Sequence, residues 1–193
     1  MNSKLHLVGF IALALGPGVN AEGIDHAAHD SHVGSGANEP SIHSKGESHV
    51  YAEREFSLDL PGTVAFLTPY FGPVKESEWS PDWKPLFVHP LGGGQIAGAI
   101  FQTRSEWGLA TWVLDRYEPE HGKVGYLIFI AGIGVTRYDI TLTQSNPVSV
   151  RVRVWCSRTA LNGAGAKYVA QFEQSFASQG PEWQQAIRSI LPH

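Results

Sequence analysis

The chain carries one cysteine, Cys156, so no intramolecular disulfide can brace it. Charge is sparse, at 17% of residues, and basic residues are the minority: 14 Lys and Arg against 18 Asp and Glu, a formal net charge of −4. Phosphate backbones need a basic footprint, so nucleic acid is not expected as a partner. Arg151 and Arg153 are the densest basic spot, and arginines on alternate strand residues more often form a solvated face than a binding patch. No apolar run reaches the ~20 residues that span a bilayer. No Asn-x-Ser/Thr acceptor occurs, which removes one reason to expect a glycosylated ectodomain. The sequence also has no Gly-rich phosphate loop, no Ser-nucleophile elbow and no His-Glu-x-x-His site; Gly92-Gly93-Gly94 reads as a hairpin connection.

What is present begins with the order of parts that a translocation machinery reads. Lys4 precedes Leu5 to Leu15, which is apolar apart from His6 and Gly9. Gly16-Pro17-Gly18 ends any helix there, and Val19-Asn20-Ala21 offers small or modest residues before Glu22. Residues 1–21 therefore read as a cleavable signal peptide. An uncleaved anchor is the alternative, but the run is about half the length needed to span. The expected location is the bacterial envelope, periplasmic or secreted, with no stable transmembrane segment after cleavage. The mature chain is sized for one domain and a tail.

Residues 22–49 read as a linker of Gly, Ser, Ala, Asn and His, too poor in large apolar groups to offset the entropy of ordering. They hold His26, His29, His32, His43 and His49. The spacing of His26, His29 and His32 lets a flexible chain wrap one zinc, copper or nickel ion. A polar, pH-sensitive tether is the plainer alternative, since nothing there fixes a ligand geometry.

Residues 50–193 read as the folded domain. Tyr51 to Leu60 alternates as a strand, and Pro61 to about Phe71 reads as a short helix with proline in its first turn. Pro73 to Pro85 is irregular and carries Trp79 and Trp83. Short strands come next at Leu86–His89, Ile96–Thr103, Leu109–Tyr117, Val124–Ile130 and Tyr138–Thr143. In the last strand Val148, Val150, Val152, Val154 and Cys156 share one face, and Ser149, Arg151, Arg153 and Trp155 the other. From about Ala164 the period becomes helical, with Tyr168, Val169, Phe172 and Phe176 on one stripe and Asn162 or Gly163 as cap. Trp183, Ile187, Ile190 and Leu191 continue it, and Pro181 is expected to break the helix. The fold class is therefore α+β: a curved antiparallel sheet of about seven strands around a long C-terminal helix, with a short helix after strand 1. A curved sheet gripping one helix tends to leave a concave apolar space, where small ligands bind.

Several segments, in this order, resemble a known superfamily. They are Phe66-Leu67-Thr68-Pro69, Glu78-Trp79-Ser80-Pro81-Asp82-Trp83-Lys84-Pro85, Phe101-Gln102-Thr103-Arg104, Thr111-Trp112-Val113-Leu114 and Arg158-Thr159-Ala160-Leu161. Over about Tyr51 to Leu191 the chain resembles the START-like, or helix-grip, superfamily, and most nearly the bacterial members labelled SRPBCC proteins. The resemblance implies a cavity between sheet and C-terminal helix that admits an apolar molecule. The superfamily holds carriers and enzymes alike, so it does not decide between them.

Candidate ligand contacts are Trp79, Trp83, Phe101, Trp112, Tyr126, Tyr138, Tyr168 and Phe172. Trp79 and Trp83 either stack on a ligand or plug the open end of the core. Phe101, Trp112 and Tyr126 either face a ligand or simply pack. Tyr138 shares parity with Ile140 and Leu142, so its ring points inward, while Arg137 reaches solvent. Tyr168 and Phe172 face it from the helix. No catalytic residue is assigned: His89 and His121 read as surface histidines, Cys156 as an inert thiol among valines, and Glu76/Glu78 and Glu118/Glu120 as loop carboxylates. The expected function is an exported carrier of a small apolar ligand, a lipid or aromatic compound, with no cofactor. A cyclase- or hydrolase-type enzyme in the same cavity is the first alternative, favoured if His89 or an acidic residue turns inward. Metal capture by His26, His29 and His32 is the second.

Overall fold

Period-two alternation builds an antiparallel sheet in the computed structural model, which describes residues 50–192. The signal-like residues 1–21 and the linker 22–49, with His26, His29 and His32, lie outside the described residues. The strands are β1 (Tyr51–Pro61), β2 (Leu86–His89), β3 (Ala99–Ser105), β4 (Gly108–Glu118), β5 (Lys123–Ile130), β6 (Gly134–Asn146) and β7 (Ser149–Ala160). They form one seven-stranded sheet in the order β1-β7-β6-β5-β4-β3-β2, antiparallel throughout. First and last strands thus pair, and β2 is the far edge. A bulge between Leu114 and Arg116 interrupts the β4–β5 ladder and adds local bend.

A short helix comes after β1, as expected, but it starts later than proline suggests. Pro61 still pairs with Ser149, and the Gly62 N–H donates to the Val148 carbonyl at 3.0 Å, so β1 runs through Pro61. The helix α1 is Val64–Leu67, capped by Thr63, and it tightens into a 3₁₀ turn over Thr68–Phe71. Strand ends differ as well: β3 begins at Ala99, and β6 runs from Gly134 to Asn146. Val148 belongs to the β6–β7 turn, 72% exposed, because its N–H is held by the Asn146 side chain at 3.0 Å.

The second helix, α2, spans Gly163–Ile190 without interruption. Asn162 caps it, accepting from the Gly165 N–H at 3.1 Å. Pro181 lies inside α2 and does not end it. It is exposed, so its cost is one missing backbone hydrogen bond on the outer side. Phe176 and Trp183 on either side of it are buried and hold the helix on course. The helix lies chiefly across β1 and β7. Over the rest of the sheet, large side chains fill the concave face. On the outer face Arg151 pairs with Asp59 at 3.0 Å and Arg153 with Glu55 at 2.5 Å, bridging β7 to β1. Exposed pairs of this kind contribute little to stability.

Candidate ligand-binding site

All eight sequence-derived candidates are buried, and they fall into two groups inside the grip. The first group sits at the end closed by the segment between α1 and β2. Register places Phe101 opposite Trp112, and their rings stack with centroids 5.5 Å apart. Tyr126 and Trp83 each meet both rings edge-on, between 5.3 and 6.2 Å. Every polar tip here is pinned. The Trp83 indole N–H donates to the Pro73 carbonyl at 2.7 Å, and that of Trp79 to the Tyr70 carbonyl at 2.8 Å. Tyr126 donates to the Phe71 carbonyl at 2.8 Å, and Trp112 to the Thr103 hydroxyl at 2.8 Å. Trp79 and Trp83 thus tie the irregular segment down as a plug over the sheet.

Glu76 is part of that plug and is fully buried. It lies on a 3₁₀ turn, Lys75–Glu78, whose Glu76 carbonyl accepts from the N–H groups of Trp79 and Ser80. Burial pushes the Tyr126 phenol well above its usual range, and the nearby Glu76 charge raises it further. Its sequence setting groups Glu76 with loop carboxylates. The signal for its burial is its place three residues before Trp79, in the segment that closes the core. His89 and His121 are both exposed.

The second group lies under the first half of α2. Tyr138 pairs across the ladder with Tyr126 on one side and Cys156 on the other. Tyr168 meets the Thr136 hydroxyl through its own, and its ring is met edge-on by Trp107 at 5.7 Å. Phe172 and Phe176 touch edge-on at 4.9 Å, and Phe176 reaches Phe56 of β1 at 5.1 Å. Between sheet and helix sits Arg158, only 5% exposed. Its guanidinium carbon is 4.2 Å from the Tyr168 ring centroid and 4.8 Å from that of Phe172. One nitrogen, Nη1, donates to the Tyr168 carbonyl at 3.3 Å. In the sequence Arg158 stands out only as part of a family-like segment. It shares the inward parity of Val150 to Cys156, which is the signal for it.

Electrostatics in this group follow burial first. Desolvation raises the phenols of Tyr138 and Tyr168, and the positive charge of Arg158 opposes that rise in both. Burial likewise pushes the Cys156 thiol up to about 12, again against Arg158. The thiolate is the reactive form. In native buffer at pH 8, Cys156 is therefore expected to resist a disulfide-exchange reagent and to react fully once the chain is unfolded in urea. Rapid titration of one thiol per native chain would refute this.

The eight candidate rings are 0–3% exposed except Trp83 at 7%, with Phe56 and Trp107 partly buried beside them, so side chains occupy most of the grip. An open groove of about 600 Å³ lies outside it, bounded by Ser57, Gly180, Pro181, Gln184 and Arg188. Gly180 separates this groove from Phe56: a Cβ there would stand 3.0 Å from the Phe56 ring. Among the described residues no cluster of His, Cys, Asp and Glu could hold a metal ion, and no helix is long and apolar enough to cross a membrane.

No family model matches the chain, and no curated protein matches it. Solved structures do. Norcoclaurine synthase from Thalictrum flavum aligns with a TM-score of 0.57 at 11% identity, over 81% of this chain and 98% of that one. Major latex-like protein 151 from Panax ginseng aligns at 0.56 and 11% identity, over 74% and 99%. The protein XoxI from Bacillus cereus aligns at 0.54 and 15% identity, over 74% and 99%. The synthase is also known in complex with dopamine and hydroxybenzaldehyde. These likenesses establish that the chain has the helix-grip fold of START-like proteins.

Proposed function

We propose that this chain is an exported carrier that shelters a small apolar molecule between its sheet and α2. The observation that carries the reading is a difference between the pinned aromatic rings and the row of phenylalanines under α2. Trp79, Trp83, Trp112 and Tyr126 are pinned by hydrogen bonds. Phe56, Phe172 and Phe176 have no polar tip, and no side-chain hydrogen bond fixes them among their ring neighbours. A ligand can replace such rings at low cost, because apolar surface leaves water either way, at roughly 25 cal/mol per Å². The phenylalanine row runs from Arg158 to Phe56, beside Gly180 and the outer groove. Pro181, which removes one backbone N–H from α2, lies at that place and borders the outer groove. The signal-like residues 1–21 support a place outside the cytoplasm, and their cleavage is checked by the mass of the mature amino terminus.

The test is native mass spectrometry of the chain purified from its own host, with titration of the emptied protein by a fluorescent apolar probe. A retained apolar species and saturable probe binding are expected. Failure of both ends the carrier reading.

One observation favours an enzyme instead: Glu76 is a buried carboxylate near Tyr126, a candidate general base. The readings separate when the recovered ligand is returned to the protein. A carrier gives it back unchanged; an enzyme converts it, and Glu76→Gln abolishes the conversion.

A further inference from the structure

Arg158 bears on what kind of apolar molecule this is. The inference rests on the carrier reading and adds the ligand's chemistry to it. A guanidinium is always charged and offers five N–H donors in a planar fork. Arg158 is 5% exposed between sheet and helix, so little of that charge is open to water. Among the described residues no carboxylate forms an ion pair with it, although six other ion pairs occur on the surface. Its Nε has no hydrogen-bond partner. What it has is one carbonyl, from Tyr168, and the faces of two rings. Ring faces attract a cation, but much less than a counter-ion does. An uncompensated buried charge is among the more costly things a fold can carry. Such a charge is retained where something arrives to meet it.

We propose that Arg158 receives the carboxylate of an apolar monocarboxylic acid, whose hydrocarbon or aromatic body lies along the row Phe172, Phe176 and Phe56. The fork of a guanidinium matches a carboxylate with two parallel N–H···O bonds. One buried cation balances one negative charge. No second basic residue among the described ones is buried, so a doubly charged phosphate would remain half unpaired. Arg158 borders Phe172 directly, so head and tail sites are contiguous. The neighbouring Tyr138 and Tyr168 phenols, raised by burial, stay protonated at neutral pH and do not compete for the cation.

The test uses the full chain and two probes that differ only in charge: 11-(dansylamino)undecanoic acid and its methyl ester. On the unaltered chain the acid is expected to bind about tenfold to a hundredfold more tightly, the range of a charge-assisted hydrogen bond. In Arg158→Gln the acid falls to the ester's affinity while the ester is unchanged. In Arg158→Lys part of the preference remains. Equal binding of acid and ester to the unaltered chain overturns the inference and leaves the carrier reading standing. A preference for the acid that survives Arg158→Gln also overturns it. Binding of neither probe overturns the inference, and it removes the carrier reading too if the chain from its own host retains no apolar species. The acid–ester comparison needs no variant, so it decides even if Arg158→Gln does not fold. A melting scan adds a second readout: the acid should raise the melting temperature of the unaltered chain but not of Arg158→Met, whose own melting temperature should be no lower than wild type.

Discussion

Trp112→Ala is expected to lower the free energy of unfolding by about 3–5 kcal/mol, the range for deleting a buried large aromatic ring. Against a total of about 5–15 kcal/mol for a domain, that is a large share. Three features put Trp112 at the top of the range. It is fully buried on β4. Its ring meets Phe101 face-on and both Trp83 and Tyr126 edge-on, so three partners lose contact together. Its indole N–H also satisfies the Thr103 hydroxyl, which the alanine abandons. The surrounding strands are locked by pairing to β3 and β5 and cannot collapse into the void. Urea denaturation followed by circular dichroism measures the loss. The void would be apolar and lined by rings, the kind that stays dry and admits a matching guest. Free indole at millimolar concentration should therefore restore part of the melting temperature of the variant and do nothing for wild type. A loss below about 1 kcal/mol would mean that this cluster does not anchor the closed end of the grip.

That anchoring bears on the proposed function because it divides the interior into rings tied by hydrogen bonds and rings that are not. Polar tips fixed to backbone carbonyls make the end under Trp79 and Trp83 rigid. On the carrier reading, the rings without tips under α2 are the ones a guest would displace. A grip that is rigid at one end and yielding at the other can admit a guest without losing its fold. Arg158 stands at the inner end of the yielding part.

Residue chemistry announces the sheet more clearly than the charges within it. The valines from Val150 to Val154 and the inward parity of Tyr138 can be read directly, because alternation is a local property of a strand. The same rule places Cys156 inside. Applied two residues further, it would also place Arg158 inside, but a charged residue reads as solvent-facing unless its partners are known. Those partners, Tyr168 and Phe172, come from a helix that begins five residues later and folds back. Glu76 is the same case: it is buried near Tyr126, a residue of β5 distant in the sequence. Pro181 fails in the other direction. Locally it forbids helix, yet buried Phe176 and Trp183 on either side hold the helix through it. Buried charges and tolerated prolines are decided by long-range packing, which no local period reports.

Two glycines in the first turn of α2 give the second large effect and carry their own control. Gly165→Ala is expected to destabilise the fold by about 3 kcal/mol, the upper end of the overpacking range. A Cβ at Gly165 would stand 2.1 Å from the Ile133 carbonyl oxygen and 3.0 Å from the Ala160 Cβ. Neither neighbour can give way easily. The Ile133 carbonyl accepts the Leu161 N–H at 2.9 Å, and Ala160 is the last residue of β7. Backbone is met on one side and the end of a paired strand on the other. To make room, the first turn of α2 would have to lift from the sheet, taking Tyr168 and its contact with Arg158 along. Gly163 stands two residues earlier, and a Cβ there meets nothing within 4 Å. Gly163→Ala should therefore raise stability by about 0.4–1 kcal/mol, chiefly by restricting the unfolded chain. The two substitutions are chemically identical and share one helical turn, so propensity cannot account for opposite signs. Paired urea titrations measure both. If Gly165→Ala proved as stable as Gly163→Ala, the seat of α2 against Ile133 would be wrong, and with it the close approach that keeps Arg158 covered.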